Sequence, residues 1–255
     1  VDRIATINLL RVRIHTISLL ELLNIIIKAS LTVRKILIAY VNVHGINLAY
    51  KLPWFQTFLN NADIIFCDGF GVKWGAYLLG LDILHRYTPP DWMPRLCQVC
   101  IQNNFSLFFL GARPGVTDKA AARLKERFPN LRIVGSHHGY FDKSTGSPEN
   151  EAIIQQINAA RPNILIVGFG MPLQERWLME NWDRIEANVA LTGGAVFDYV
   201  SGELRRGPRW MTENGLEWLA RFIVEPRRLW RRYLIGNPLF LWRVLKQRLR
   251  QTHME

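Results

Sequence analysis

The chain has 255 residues, 49% of them hydrophobic, enough to bury the core of one large α/β domain or of a domain with an appendage, so it reads as a globular protein. Its formal net charge of +11 is unevenly spread, with 12 Lys/Arg against 3 Asp/Glu in residues 205–250 but 20 against 17 in residues 1–204. Cys67, Cys97 and Cys100 make no disulfide framework, and Cys97-x-x-Cys100 lacks the second ligand pair of a zinc site, so a reducing, cytoplasmic setting is expected.

Residues 1–34 read as a lead-in layer with no chemistry of its own. Ile14, Thr16 and Leu19 alternate with polar residues, and a helical segment follows over Leu19–Ala29. The apolar stretch Ile4–Ile27 is interrupted by Arg11, Arg13, His15 and Glu21, so no run reaches the ~20 residues of a spanning helix. No signal peptide with a small-residue cleavage site is read, and membrane contact is expected to be peripheral.

Lys35–Asn42 is a strong strand ending in Asn42 and His44 beside Gly45, and Ile46–Asn60 is expected to be helical. Ile64–Cys67 is a short strand buried on both faces, delivering Asp68 into the turn Gly69-Phe-Gly71 before a helix over Val72–Leu79. The same alternation continues through the strand Phe105–Leu110, the turn Gly111-Ala-Arg-Pro-Gly115 and the helix Thr117–Phe128. Leu131–Val134 is a further strand, followed by the polar loop His137–Ser147 and a helix from Pro148 to Ala160. Ile164–Gly168 leads through Gly168-Phe-Gly170-Met-Pro172 into a helix bearing Gln174, Glu175 and Trp177, and the strand Val189–Thr192 closes the series. Six strands alternating with helices predict a mainly parallel, doubly wound sheet with helices on both faces.

Beyond Gly202 the character changes. Arg205–Arg209 reads as a linker, and the chain up to Arg250 is expected to be helical with breaks at Pro226 and at Gly236-Asn-Pro238. Trp218, Leu219, Phe222 and Ile223, then Leu229, Trp230, Tyr233 and Leu234, follow helical spacing with arginines between them. Tryptophan beside arginine on an amphipathic helix suits a bilayer interface. The domains are therefore drawn as 1–204, the α/β body, and 205–255, a helical, basic, membrane-associating appendage.

In an open parallel sheet, ligands sit outside the carboxyl ends of the strands, which here carry Asn42, Asp68, Gly111, Gly168 and Thr192. Glycines there let backbone N–H groups approach an anion, so a diphosphate is a natural guest. Neither Gly69-Phe-Gly71 nor Gly168-Phe-Gly170 completes a G-x-G-x-x-G dinucleotide fingerprint, and no G-x-x-x-x-G-K loop occurs. No His, Asp and Glu cluster has metal spacing, and Asp68 has no second Asp two residues away. A leaving diphosphate would then be neutralised by arginine, whose planar fork binds phosphate oxygens bidentately; Arg86, Arg113 and the tail arginines are candidates, as against ordinary solvated charges. Asp68 itself reads either as a helix cap or as a reactive carboxylate. Gln174 and Glu175 either face the sheet edge or stabilise the first turn of their helix.

Asp68-Gly69, Gly168-Phe-Gly170-x-Pro172-x-Gln174-Glu175 and Gly202 through Gly207-Pro208 stand in the order and spacing of the WecB/TagA/CpsF family. Gly215-Leu-Glu-Trp218-Leu-x-Arg221 and Glu225-Pro226-x-Arg228-x-x-Arg231 do so as well. Over residues 35–235 the chain thus resembles these bacterial glycosyltransferases, glycosyltransferase family 26. The resemblance implies a Rossmann-like fold of GT-E type with a carboxy-terminal appendage that touches the membrane and helps complete the site. It also implies inverting transfer, with no metal and no cofactor, from a UDP-sugar donor to a polyprenyl-diphosphate-linked saccharide acceptor at the cytoplasmic face of the bacterial inner membrane. The family's base falls on Asp68, its strand-end asparagine on Asn42, and its glutamine near the donor sugar on Gln174. Its nucleotide contacts fall on Tyr140 and Asp198, an arginine near the site on Arg86, and the appendage arginines on Arg221, Arg228 and Arg231. Gly111 and Gly170 complete the expected substrate-binding set. Tyr40 departs from the threonine usual in teichoic-acid and enterobacterial-antigen members, so a hexose or another N-acetylhexosamine stands beside N-acetylmannosamine as donor, in exopolysaccharide or capsule synthesis.

A second reading is a Rossmann-like nucleotide- or nucleic-acid-binding protein without transferase activity, which the basic tail permits. Against it, the tail's basic residues are interleaved with large apolar ones at helical spacing and no nucleic-acid-reading motif appears, so no nucleic acid is expected as partner. A monomer and a self-associating homo-oligomer are both open.

Overall fold

The computed structural model describes residues 4–32 and 34–252; residues 1–3 and 33 of the lead-in layer, and 253–255 of the appendage, lie outside the described residues. The chain opens on an antiparallel hairpin of β1 (Thr6–Leu9) and β2 (Val12–His15), followed by α1 (Leu19–Leu31), which buries Leu22, Leu23 and Ile26. β3 (Ile36–Val41) leads through α2 (Val43–Lys51) and α3 (Pro53–Asn61) to β4 (Ile64–Cys67). Then come α4 (Phe70–Leu78), α5 (Pro89–Gln102), β5 (Ser106–Gly111), α6 (Val116–Arg127), β6 (Arg132–His137) and α7 (Pro148–Ala160). β7 (Ile164–Gly168), α8 (Leu173–Asn181), β8 (Val189–Thr192) and α9 (Val196–Ser201) follow.

The expected α/β architecture is present. A six-stranded parallel sheet runs in the order β4-β3-β8-β7-β5-β6, with helices between successive strands. β3, β4, β5, β7 and β8 are buried along their whole length, which is why each reads as an unbroken apolar run; β6, at an edge, is only partly covered. Parallel pairing sends all their carboxyl ends the same way, so strand-end residues are where polar groups can gather.

The tail holds α10 (Arg209–Glu213), α11 (Glu217–Val224), α12 (Pro226–Trp230), a π-helical turn over Arg231–Ile235 and α13 (Gly236–Thr252). Three local features differ from the sequence reading. The single helix expected over Ile46–Asn60 is split at Leu52, which is extended (φ −118°, ψ 100°) because Pro53 disfavours a helical predecessor; Pro53 then opens α3 at its first turn. α5 forms where no element was expected, with Pro89 and Pro90 in the first turn, where the missing N–H is no loss. The break expected at Gly236-Asn-Pro238 is absent: a π-helical turn runs directly into α13 through Gly236, which is itself helical (φ −66°, ψ −39°), and Pro238 lies in the first turn of α13.

Two compact units can be distinguished. The first comprises the described parts of Val1–Ser18, Tyr40–Thr88 and Arg205–Glu255. In it His15 Nδ1 accepts the buried Ile65 N–H at 3.0 Å, so the hairpin serves a strand donor on β4 that the sheet leaves unpaired. α13 is docked by Phe240 and Val244 against Gly75, where a Cβ would come within 2.4 Å of the Phe240 ring. Its Arg243 is buried, donates to Asn47 Oδ1 at 2.6 Å and lies 4.0 Å from the Tyr50 ring centre. The second unit, Leu19–Ala39 with Pro89–Leu204, contains a buried network in which Trp177 Nε1 donates to Asn150 Oδ1 at 2.7 Å and Asn150 Nδ2 to Asn181 Oδ1 at 3.0 Å. Ser147 caps α7 by accepting the Asn150 N–H.

Burial holds the His15 imidazole below its ordinary pKa of 6.5, so its acceptor role stabilises the fold above pH 6.5 and is lost as the pH falls below it. His15→Ala is expected to cost roughly 1–3 kcal/mol at pH 8, the penalty for an orphaned buried donor. Urea unfolding should show that loss and a flatter acid limb than wild type.

Candidate active site

In the first unit the site is built at the ends of β3 and β4. Asn42 is the N-cap of α2: its Oδ1 accepts the Gly45 N–H at 3.1 Å, which leaves the Nδ2 side of the amide to donate to Asp68 Oδ2 at 3.4 Å. Gly69, at φ +109°, turns the chain into α4 and stands as its N-cap without any side-chain cap bond, so Asp68 is not spent as a helix cap. The Asp68 residue is partly exposed, yet its carboxyl pKa is pushed up to about 6. Desolvation is the main cause and the nearby Glu217 adds to it; Asn42, Arg232 and Arg86 act in the opposite direction.

Around this carboxylate the tail supplies charge. Arg86 Nη1 meets Glu217 Oε2 at 3.4 Å, Arg86 Nη2 donates to the Thr212 carbonyl at 3.1 Å, and its guanidinium lies 4.4 Å from the Phe70 ring centre. Arg206 reaches the other Glu217 oxygen at 3.3 Å and donates to Thr88 Oγ1 at 3.2 Å. Further along, Arg221 and Arg228 share Glu225, at 3.6 and 2.8 Å. Arg221 is partly buried, whereas Arg228 and Arg231 are exposed, Arg231 lying over Trp230. His44, in the first turn of α2, has its pKa lowered to about 4 by burial and, second, by Arg232. It is neutral at physiological pH and can donate or accept one hydrogen bond. Below the Asn42 and Asp68 pair, two residues back on each strand, Tyr40 and Phe66 are buried with ring centres 6.2 Å apart.

In the second unit the strand ends are packed through glycine. Gly111, at φ +152°, lies so close to Gly168 that a Cβ would come within 2.4 Å of its carbonyl oxygen. Gln174 is fully buried: its Oε1 accepts the N–H groups of Gly170 at 3.3 Å and Gly194 at 3.0 Å, and its Nε2 donates to Glu175 Oε1 at 2.7 Å. It therefore staples the turn after β7 to the turn after β8. Burial pushes the Glu175 carboxyl up to about 7. The N–H groups of Ala112, Gly139 and Gly193 bond to neighbouring carbonyls, so these turns satisfy themselves internally. Tyr140 is exposed in the loop after β6, and Asp198 is partly exposed in the first turn of α9. Lys143 donates to the carbonyls of Gly139 and Phe141 and has its ammonium over the Phe141 and Phe169 rings, at 4.4 and 4.7 Å. Among the described residues, no three His, Cys, Asp or Glu side chains are grouped so as to hold a metal ion.

The description "Glycosyl transferase WecG/TagA/CpsF family" matches residues 7–254. The chain belongs to this family. Relatives include proteins named N-acetylglucosaminyldiphosphoundecaprenol N-acetyl-beta-D-mannosaminyltransferase from Staphylococcus aureus strains NCTC 8325 / PS 47, COL and MRSA252. Each is 27% identical over 218 residues, covering 86% of this chain and 83% of the relative.

For this WecG/TagA/CpsF family member, the structure brings Asn42, Asp68 and Arg86 into one unit with Arg221, Arg228 and Arg231, and it holds Gly111, Tyr140, Gly170, Gln174 and Asp198 in the other. Sequence reasoning assigned nothing to Glu217, and it named Arg206 and Arg232 only collectively, among the tail arginines. Glu217 lies inside a quoted motif, but its effect on Asp68 comes through a contact between distant segments, which no local spacing reveals.

Because the folded state raises the Asp68 pKa, ionising this group costs stability: the cost is absent below the ordinary value of 3.8 and develops as the pH rises through about 6. Asp68→Asn should therefore stabilise the protein by roughly 1–3 kcal/mol at pH 7.5 and leave it unchanged at pH 3.5. Chemical denaturation at the two pH values checks this.

Proposed function

We propose that the chain is an inverting, metal-independent glycosyltransferase that moves a hexose or N-acetylhexosamine from a UDP-sugar to a polyprenyl-diphosphate-linked saccharide in cell-surface or exopolysaccharide synthesis. The observation that carries this reading is the Asp68 carboxylate at the end of β4, uncommitted to capping, oriented by Asn42 and tuned to about 6. Family membership supports the reaction class, and the relatives' names describe N-acetylmannosaminyl transfer involving N-acetylglucosaminyl-diphosphoundecaprenol.

In this mechanism Asp68 takes the proton of the acceptor hydroxyl as its oxygen attacks the anomeric carbon. The bond from that carbon to the UDP oxygen breaks on the opposite face, and configuration inverts. A pKa near 6 suits the task, since the base is ionised at neutral pH yet stronger than an ordinary carboxylate. Guanidinium groups neutralise the departing diphosphate, with Arg86, Arg221, Arg228 and Arg231 as contributors. Tyr140 and Asp198 are assigned to the nucleotide, and Gly111 and Gly170 border the donor. Gln174 serves the donor sugar by fixing the turns that contain Gly170 and Gly194.

Residues 205–255 act as the membrane-associating appendage, at the cytoplasmic face. On α13, Leu241, Trp242, Leu245 and Leu249 form an exposed apolar stripe at helical spacing, with Lys246, Arg248 and Arg250 beside it. Among the described residues no helix is long and apolar enough to cross a membrane.

Asp68→Asn is expected to lower kcat by ~10²–10⁴-fold with UDP affinity nearly unchanged. Wild-type kcat/KM should fall tenfold per pH unit below an apparent pKa near 6, because only ionised Asp68 accepts the proton. UDP release from a panel of UDP-sugars with a lipid-linked acceptor measures both, and full turnover by Asp68→Asn would remove that carboxylate from the role. Trp242→Glu should reduce co-sedimentation with phosphatidylglycerol vesicles; undiminished pelleting would count against the α13 stripe as the contact.

A further inference from the structure

Four arginines of the first unit share two carboxylates. Arg86 and Arg206 share Glu217, and Arg221 and Arg228 share Glu225, so each of these guanidinium groups already faces a carboxylate. Arg232 differs from them. It is partly buried, its Nε is enclosed without a hydrogen-bond partner, and it makes no ion pair among the described residues. Its guanidinium lies 5.5 Å from the Tyr233 ring centre. A buried Nε–H with no acceptor is costly unless a ligand supplies one.

The backbone holds this residue in place. Arg232 is the second residue of the π-helical turn, a departure from α geometry that commonly marks functional sites. Leu229 and Tyr233 anchor the turn on the inner side, Tyr233 packing on Trp218 at 5.6 Å and Phe222 at 6.3 Å. Asn47 Nδ2 donates to the Gly236 carbonyl at 2.7 Å, fastening the end of the turn to α2 one helical turn beyond His44. This brings the Arg232 charge to act on both His44 and Asp68. Its neighbour Arg231 is exposed over Trp230 instead.

We propose that Arg232 is the receptor for a diphosphate in this site, its enclosed Nε–H and guanidinium fork taking phosphate oxygens in the unit that carries Asp68, with His44 as a second polar contact. The inference rests on the glycosyltransferase reading and adds to it a substrate-binding residue outside the expected set. The diphosphate belongs either to the nucleotide or to the lipid-linked acceptor, and the two are separable by experiment.

Binding of UDP and of farnesyl diphosphate is measured by calorimetry on the full chain, for wild type, Arg232→Ala, Arg232→Lys and the exposed control Arg227→Ala, with thermal unfolding of each. Arg232→Ala is expected to weaken one of the two probes about tenfold to a hundredfold, the loss of charge-assisted hydrogen bonds. Loss confined to UDP identifies the nucleotide, and loss confined to farnesyl diphosphate identifies the lipid. Arg232→Lys, which keeps the charge but not the fork, should recover part of the affinity, and Arg227→Ala should bind as wild type. In turnover assays the acid limb of kcat/KM should move to higher pH in Arg232→Ala and stay in place in Arg232→Lys, a change that a merely structural role would not produce. Affinities for both probes within twofold of wild type in Arg232→Ala would overturn the proposal while leaving the transferase reading intact. Arg232-dependent diphosphate binding without turnover of any UDP-sugar would do the reverse. If Arg232→Ala does not fold, Arg232→Lys decides: unchanged affinity for both probes overturns the proposal.

Discussion

The Asn42 side chain joins two requirements that each constrain its orientation. The first helical turn of α2 needs an acceptor for the Gly45 N–H, and Asn42 Oδ1 provides it. Once the oxygen is fixed, the amide nitrogen has one direction left, and it meets Asp68. The position of the proposed base relative to the first unit's core is therefore set by a helix cap. Two residues back on each strand, Tyr40 and Phe66 are buried with ring centres 6.2 Å apart.

Charge around that pair follows a simple pattern. Two glutamates, Glu217 and Glu225, each draw two arginines; three of these pairs lie within the tail, and the pair of Arg86 with Glu217 ties the tail to the segment after β4. Ion pairs of this kind are modest in energy where exposed, but they fix geometry when partly buried, as with Arg86, whose guanidinium is held by Glu217, the Thr212 carbonyl and the Phe70 face together. Glu217 has two effects: it orients Arg86 and Arg206, and its own charge raises the Asp68 pKa. In the second unit the same economy appears without charge pairs, since Gln174 satisfies two glycine N–H groups and so fixes two turns with one side chain.

Much of this was legible in the sequence, for reasons that also explain what was not. Five of the six sheet strands could be read because strands covered on both faces are written as unbroken apolar runs ending at glycine or a polar residue, as Ile64–Cys67 before Asp68 shows; β6, only partly covered, was read in part, as Leu131–Val134. α5 was hidden by three prolines: Pro89 and Pro90 fall in its first turn, where they cost little, and Pro94 lies inside the helix. The tail was misread at Pro238 for a related reason: a π-turn is a property of several residues and of the side chains they pack against, here Leu229 and Tyr233, and proline spacing does not encode it. That turn also rotates the next helical residues by about 100°, the angle of one extra residue. Burial along an arginine run that passes through such a turn is therefore not given by an ideal helical wheel: Arg231 is exposed and Arg232 partly buried.

The raised Asp68 pKa shows how stability and chemistry are balanced. A fully exposed aspartate near 3.8 is ionised at neutral pH but about a hundredfold weaker as a base than one near 6; a carboxyl sealed in the core would be stronger still, and protonated when needed. Between these limits the fold must carry an ionised group it has partly desolvated, and the opposing influences of Glu217 on one side and Asn42, Arg232 and Arg86 on the other decide where the balance falls. Most of these residues lie far from Asp68 in the chain, and two of them belong to the tail. Tail and strand ends thus form one electrostatic system, so a change to the tail's charges alters the base even where it touches no reacting atom.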